Sequence, residues 1–149
     1  MIRQLCKEVF DIDKDATFIY HTPPPESTVR AYNEQENDTG PDPEDLHLDV
    51  YFQSTSRWNN AVHTHLLSKA RKAISESYTD LQAVSDAYLL DMIQTKCETL
   101  LRTWRATQAR PGEDDNGAAL RWNEQKQLER KSARQRRRRL TVSPFKTYK

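Results

Sequence analysis

Between Ser56 and Trp104 the apolar residues fall twice into helical register, and no other stretch of the chain sustains that pattern for as long. The first stripe is Trp58, Ala61, Val62, His65, Leu66, Ala70, Ala73 and Ile74, with Ser56 placed to cap it. The second starts near Ser85 or Asp86 and carries Leu89, Leu90, Ile93, Cys97, Leu100, Leu101 and Trp104. A period near 3.6 gathers apolar side chains on one face of a helix and scatters them on a strand. Pro111–Gly112 ends the second segment, with Arg102, Arg105 and Arg110 near its negative end. Two such helices, joined by a link in which Tyr78, Leu81 and Val84 allow one further turn, make a helical hairpin. The expected fold is therefore mostly α: a small helical hairpin or three-helix core over residues 50–110.

The rest of the chain offers little to add to that core. Leu, Ile, Val and Phe number 28 of 149 residues, just under the one-fifth level at which a stable core becomes doubtful. Residues 1–32 read as a short N-terminal helix, with Ile2, Leu5, Cys6, Val9, Phe10 and Ile12 at near-helical spacing, followed by a Pro-rich turn. After its three prolines, Pro25 and Glu26 are placed to open one or two helical turns carrying Val29 and Tyr32. Residues 33–49 are acidic, with Gly40, Pro41 and Pro43, and predict a disordered, solvated linker. The LHLDVYF stretch, residues 46–52, alternates with period two but has no second strand to pair with, which favours an extended segment lying on a helix. Residues 111–149 form a basic helix or tail. Over 118–140 it lacks Pro, has Gly only before it, and spaces Leu120, Trp122, Leu128, Ala133 and Leu140 in no continuous stripe, as in a helix that is polar all round.

Charge is segregated along the chain. The residues before Ser56 hold twelve Asp/Glu against four Lys/Arg, whereas Arg121–Leu140 holds nine Lys/Arg against Glu124 and Glu129. Such asymmetry points to a polyanion partner, a nuclear import signal, or an acidic head that folds back on its own tail. The densest part is RKSARQRRRRL, and its candidate contacts are Arg130, Lys131, Arg134, Arg136, Arg137, Arg138 and Arg139. Guanidinium groups match phosphates bidentately and give salt-sensitive, sequence-blind affinity, and the same residues suit an import receptor. A basic-region leucine zipper does not fit, because the Asn expected before the Ala is missing and Pro144 follows Leu140 before any heptads.

Motifs for chemistry are missing. There is no GxGxxG, GxxxxGK[ST], GxSxG or HExxH, and three glycines leave little for a phosphate-cradling loop. Asp11, Asp13 and Asp15 imitate the start of an EF-hand loop, but Ala16 replaces its glycine and Thr22 its closing glutamate. His63 and His65 sit two apart on a helix and face different directions; Cys6 and Cys97 have no CxxC or CxxH companion. The carboxylates cluster in the linker, where nothing would desolvate them. The sequence thus predicts a non-enzymatic protein with no cofactor and no metal. Its N-terminus lacks the apolar run of a signal peptide, and Ala87–Leu90 is its longest apolar run, far short of a bilayer. An intracellular protein with free thiols and no membrane partner is the expectation.

Two resemblances follow from these residues. Trp58, the Leu66–Leu67 pair and IQTKCETLLRTWR ending at Trp104 resemble the Myb/SANT and trihelix class, over about fifty residues; the alternative is that both tryptophans are ordinary core aromatics. Across most of the chain, Arg3–Ile12, Asp15–Pro23, Gly40–Asp49, Arg57–Asn59 and Arg102–Arg110 are similar in order and texture to uncharacterised proteins of mushroom-type (basidiomycete) fungi. That likeness implies a fungal intracellular protein and transfers no functional residues. The expectation is a nuclear, nucleic-acid- or chromatin-associated accessory protein binding non-specifically through the C-terminal arginines. The alternative is a protein–protein interaction module whose basic tail meets only an import receptor.

Overall fold

The computed structural model describes residues 1–141, with side chains as far as Arg137. The fold is mostly helical, and no strand occurs among the described residues. The helices are α1 (Ile2–Val9), α2 (Glu26–Asn33), α3 (Arg57–Ser77), α4 (Asp86–Thr107) and α5 (Asp115–Thr141). Short 3-10 segments occupy Asp15–Tyr20 and Thr79–Leu81. The chain forms two compact units, Met1–Arg105 and the part from Ala106 onward.

Local chemistry fixes the helix ends. Ser56 caps α3 as the sequence suggests, its side-chain oxygen accepting from the Asn59 N–H at 3.2 Å. The short helices α1 and α2 end in the same way. The Ile12 N–H donates to the Lys7 carbonyl at 2.9 Å, and the Glu36 N–H to the Ala31 carbonyl at 2.9 Å. In each case the preceding residue, Asp11 (φ 50°) or Gln35 (φ 61°), takes the left-handed conformation that this closure requires. Neither is glycine, so both positions carry some strain. Ile12, which follows the first closure, is buried.

The core of the first unit begins at residue 1 instead of residue 50. Ile2 and Cys6 from α1, Phe18 from the 3-10 segment, Val29 from α2, and Leu46, Leu48 and Val50 all join Trp58, Leu66, Ile93, Leu100 and Leu101 in one cluster. The close backbone neighbours of α3 include α1, α2 and the Thr79–Leu81 segment. N-terminal side chains fill the space over the stripes of the two long helices. Lys96 on α4 adds an ion pair to Asp15, which ties the 3-10 segment to that helix.

The expected linker divides in two. Residues 34–39 and 42–45 are exposed, as an acidic stretch should be, while Pro41, Leu46, Leu48, Asp49 and Val50 are buried. Residues 46–50 take no regular secondary structure, and Leu46, Leu48 and Val50 join the core, but one acidic residue goes inward with them. Asp49 is fully buried. Its carboxylate accepts from the Tyr51 N–H (2.8 Å), the Phe52 N–H (3.2 Å) and the Ser56 hydroxyl (2.8 Å). Its backbone is gripped by Asn59, which accepts from the Asp49 N–H at 2.8 Å and donates to the Asp49 carbonyl at 3.0 Å. A buried polar group must find hydrogen-bond partners, and three donors meet this carboxyl.

The buried face of α3 is rotated from the one read in the sequence. Asn59 and His63 are buried along with Trp58, Val62, Leu66, Ala70 and Ile74, whereas His65 and Ala73 are only half-buried. On α4 the buried residues are Leu89, Ile93, Cys97, Leu100 and Leu101, and Leu90 and Trp104 flank them. The Trp58 indole donates to the His47 carbonyl at 2.9 Å and the Trp104 indole to the His21 carbonyl at 3.3 Å, so both tryptophans serve the core.

Two histidines are held neutral inside this unit. His21 stacks on Phe18 at 4.4 Å, and its Nε2 accepts from the Leu48 N–H at 3.2 Å. Both ring nitrogens of His63 are buried without a partner among the described residues. Burial lowers the pKa of each from 6.5 to about 4.

The arrangement has two measurable consequences. Residues 1–110 should melt cooperatively, whereas 56–110 alone should keep helical circular dichroism but melt without cooperativity, because Phe18, Val29 and Leu48 are gone. A cooperative melt of 56–110 would contradict this core. The second consequence concerns acid. Below pH 6.5 the unfolded chain takes up protons that the folded histidines refuse, so stability falls as pH drops from about 6.5 to about 4. Each ring accounts for on the order of 2 kcal/mol of that loss. His63→Leu should flatten the acid limb in denaturant titrations and leave stability at pH 7 equal or higher; an unchanged limb would show that His63 is not held neutral.

Candidate nucleic-acid interface

The second unit begins with a tight corner. Pro111 and Gly112 form the middle of a turn closed by the Glu113 N–H donating to the Arg110 carbonyl at 2.9 Å, and Gly112 has φ 81°. That is a type II turn, in which Pro presets the first central residue and only glycine takes the second without strain. Asp114 then starts α5 by accepting from the Gly117 N–H at 2.7 Å.

Arg121 locks the corner from the first turns of α5. Its guanidinium meets the Glu113 carboxylate through Nε (3.1 Å) and a terminal nitrogen (2.9 Å). The same group donates to the carbonyls of Ala106 and Gln108, both at 2.8 Å, where the chain leaving α4 runs out of internal N–H donors. The Glu113 carboxyl also accepts from the Arg110 N–H at 2.9 Å. The Arg121 hydrogen bonds, and then the Arg110 one, hold its pKa down at about 2, while the Arg121 pKa is raised in turn. Of the nine basic residues between 121 and 140, this one is spent on architecture.

Beyond the corner, α5 is polar all round, with Leu120 and Leu128 largely exposed. Lys126 lies over the Trp122 ring at 4.6 Å and pairs with Glu129 at 3.1 Å. Arg130, Lys131, Arg134, Arg136 and Arg137 are all exposed on this helix. None of Arg130, Lys131, Arg134 and Arg136 makes an ion pair among the described residues. The helix carries the backbone of Arg138 and Arg139 to Thr141, but the side chains of these two candidates lie outside the described residues.

Helical geometry sorts the cluster in a way the linear run does not show. Lys126, Arg130, Arg134 and Arg137 recur at intervals of four, four and three, so they share one face over about 16 Å, and Lys131 stands at its edge beside Arg134. Arg136, two residues from Arg134, lies about 160° around the helix from it. One face therefore presents a row of cations held in place by the helix.

No comparable constellation for chemistry emerges. Among the described residues, no three His, Cys, Asp or Glu side chains come together as a metal site, and Asp15 of the acidic 11–15 run is engaged with Lys96. Cys6 and Cys97 are free and buried, and a hydrogen bond between their thiols lowers the pKa of Cys6 and raises that of Cys97. No helix of the described residues is long and apolar enough to cross a membrane. The basic residues are legible in the sequence, but the roles of Asp49, Asn59 and Arg121 are not, because their partners, two to fifteen residues away, follow no helical or strand period. No family model matches the chain, and no curated protein or solved structure matches it.

Proposed function

We propose that this chain is a non-enzymatic nucleic-acid-associated protein of the nucleus that grips a phosphate backbone with one face of α5. The observation that supports this reading most is the row Arg130, Lys131 and Arg134, exposed on a helix and without acidic partners among the described residues. Unpaired guanidiniums in water are available for charge-assisted, bidentate bonds to phosphate, and releasing counterions from the nucleic acid supplies the driving force. The first unit then serves as the folded body from which the contact helix is carried. Base-specific recognition has no support here: the polar side chains on the contact face are dominated by cations, which position a backbone without reading its sequence. The consecutive arginines Arg136–Arg139 also suit an import receptor, which is compatible with a nuclear location.

A salt series with random-sequence duplex DNA, single-stranded DNA and RNA tests the proposal. With about five cations engaged, log K should fall against log salt with a slope of roughly −4 to −5. Arg130→Ala combined with Arg134→Ala should weaken all sequences alike and make the slope shallower by about 2. Parent-like affinity of that double variant would remove α5 as the contact and leave the import reading.

A further inference from the structure

A second concentration of arginine lies in the first unit, away from the basic tail. An open cleft of about 550 Å³ is lined by Tyr51, Phe52, Ser56, Arg57 and Arg105, among others. Arg57 opens α3 and Arg105 lies in the last turn of α4, so two helices bring their guanidiniums to one concavity. Each is steadied by one backbone carbonyl. Arg57 donates to the Tyr32 carbonyl at 2.6 Å and stacks over the Tyr32 ring at 4.3 Å. Arg105 donates to the Phe52 carbonyl at 2.6 Å. A guanidinium has five N–H donors, so among the described residues most remain unused in both.

Their acids are elsewhere. Arg105 has no ion pair among the described residues, and the carboxylate nearest Arg57 is that of Asp38, at 3.8 Å on a side chain that is 98% exposed. That contact is too long for a hydrogen bond and is open to screening. Asp49 lies beneath the loop, but its oxygens are taken by Tyr51, Phe52 and Ser56 and it does not line the cleft. The α3 N-terminus adds little, since the Trp58 N–H goes to Asn33 and the Asn59 N–H to Ser56. Beside the two cations stand Tyr51, with an exposed ring, and Phe52, whose ring lies under Arg30 at 5.3 Å.

Two pre-oriented guanidiniums next to aromatic surface match an oxyanion carried on a flat group. We propose that this cleft binds a phosphate monoester of nucleotide size, with the phosphate between Arg57 and Arg105 and the flat group against Tyr51. This site is independent of α5 and takes a monomeric ligand, so it can stand or fall separately from the polyanion reading.

Titration of the full chain with adenosine monophosphate, adenosine and inorganic phosphate, followed by calorimetry, tests it. The monophosphate should bind roughly tenfold tighter than either fragment of it, because both halves of the cleft then contribute. Arg57→Gln and Arg105→Gln should each weaken it by roughly tenfold or more, whereas Asp38→Asn should tighten it by removing the competing carboxylate. Arg57 also holds Tyr32, so a melt checks the fold of that variant, and Arg105→Gln carries the test if Arg57→Gln unfolds. The combined Arg130→Ala and Arg134→Ala variant should leave the affinity within twofold. Monophosphate binding unaffected by Arg105→Gln, or abolished by the α5 pair, would overturn the site. Equal affinity for adenosine would overturn the role of the phosphate, and equal affinity for inorganic phosphate that of the flat group.

Discussion

The buried carboxylate of Asp49 is the constraint on which the first unit turns. A charge placed in a core must be met on every side, and Tyr51, Phe52 and Ser56 meet it while Asn59 holds the backbone at the same residue. The result fastens residues 46–53 to the start of α3. Leu46, Leu48 and Val50 are thereby set into the apolar cluster, and the same Ser56 that completes the carboxylate's shell also caps the helix. Trp58 extends the clamp by reaching back to the His47 carbonyl. The loop that carries Tyr51 and Phe52, and with it the arginine-lined cleft, owes its position to this network. Networks of this kind rigidify a core when complete and fail together when one member is lost.

A consequence is that the N-terminal third is structural. It is polar enough to look like an arm, and its composition alone argues against a core. Yet few apolar residues suffice when each is placed over a waiting stripe, and Phe18, Val29 and Leu48 are all fully buried. The Asp15–Lys96 pair and the His21–Leu48 hydrogen bond join parts of the chain 81 and 27 residues apart. Distributed contacts of that range are what join the four helices into one unit.

How much of this was legible can be judged residue by residue. Helix positions were readable: Ser56 as a cap, Asp86 as a start, Pro111–Gly112 as a break and Glu26 as an opening are all local chemistry, and each appears where it should. Burial on α3 was readable only for apolar residues. Asn59 and His63 share the inward face with Val62 and Leu66, but a pattern search discounts polar side chains, so it placed His65 in the stripe instead. Asp49 was counted with the linker because its partners lie in the next segment. For the basic tail, residue type was plain from the sequence and the helix expected, but the face was not. Only the continuous helical backbone from Asp115 to Thr141 separates Arg134 from Arg136.

That separation carries the functional account. An import receptor reads a run of arginines as extended chain, for which neighbours are equivalent, whereas a phosphate backbone lying along α5 meets one face of it. The deciding measurement is the affinity for random-sequence duplex DNA of Arg134→Ala beside Arg136→Ala, at the same low salt. Loss of one phosphate contact costs roughly fivefold or more under such conditions. The account predicts that loss for Arg134→Ala and little change for Arg136→Ala. Equal losses for the two would contradict a helical contact face.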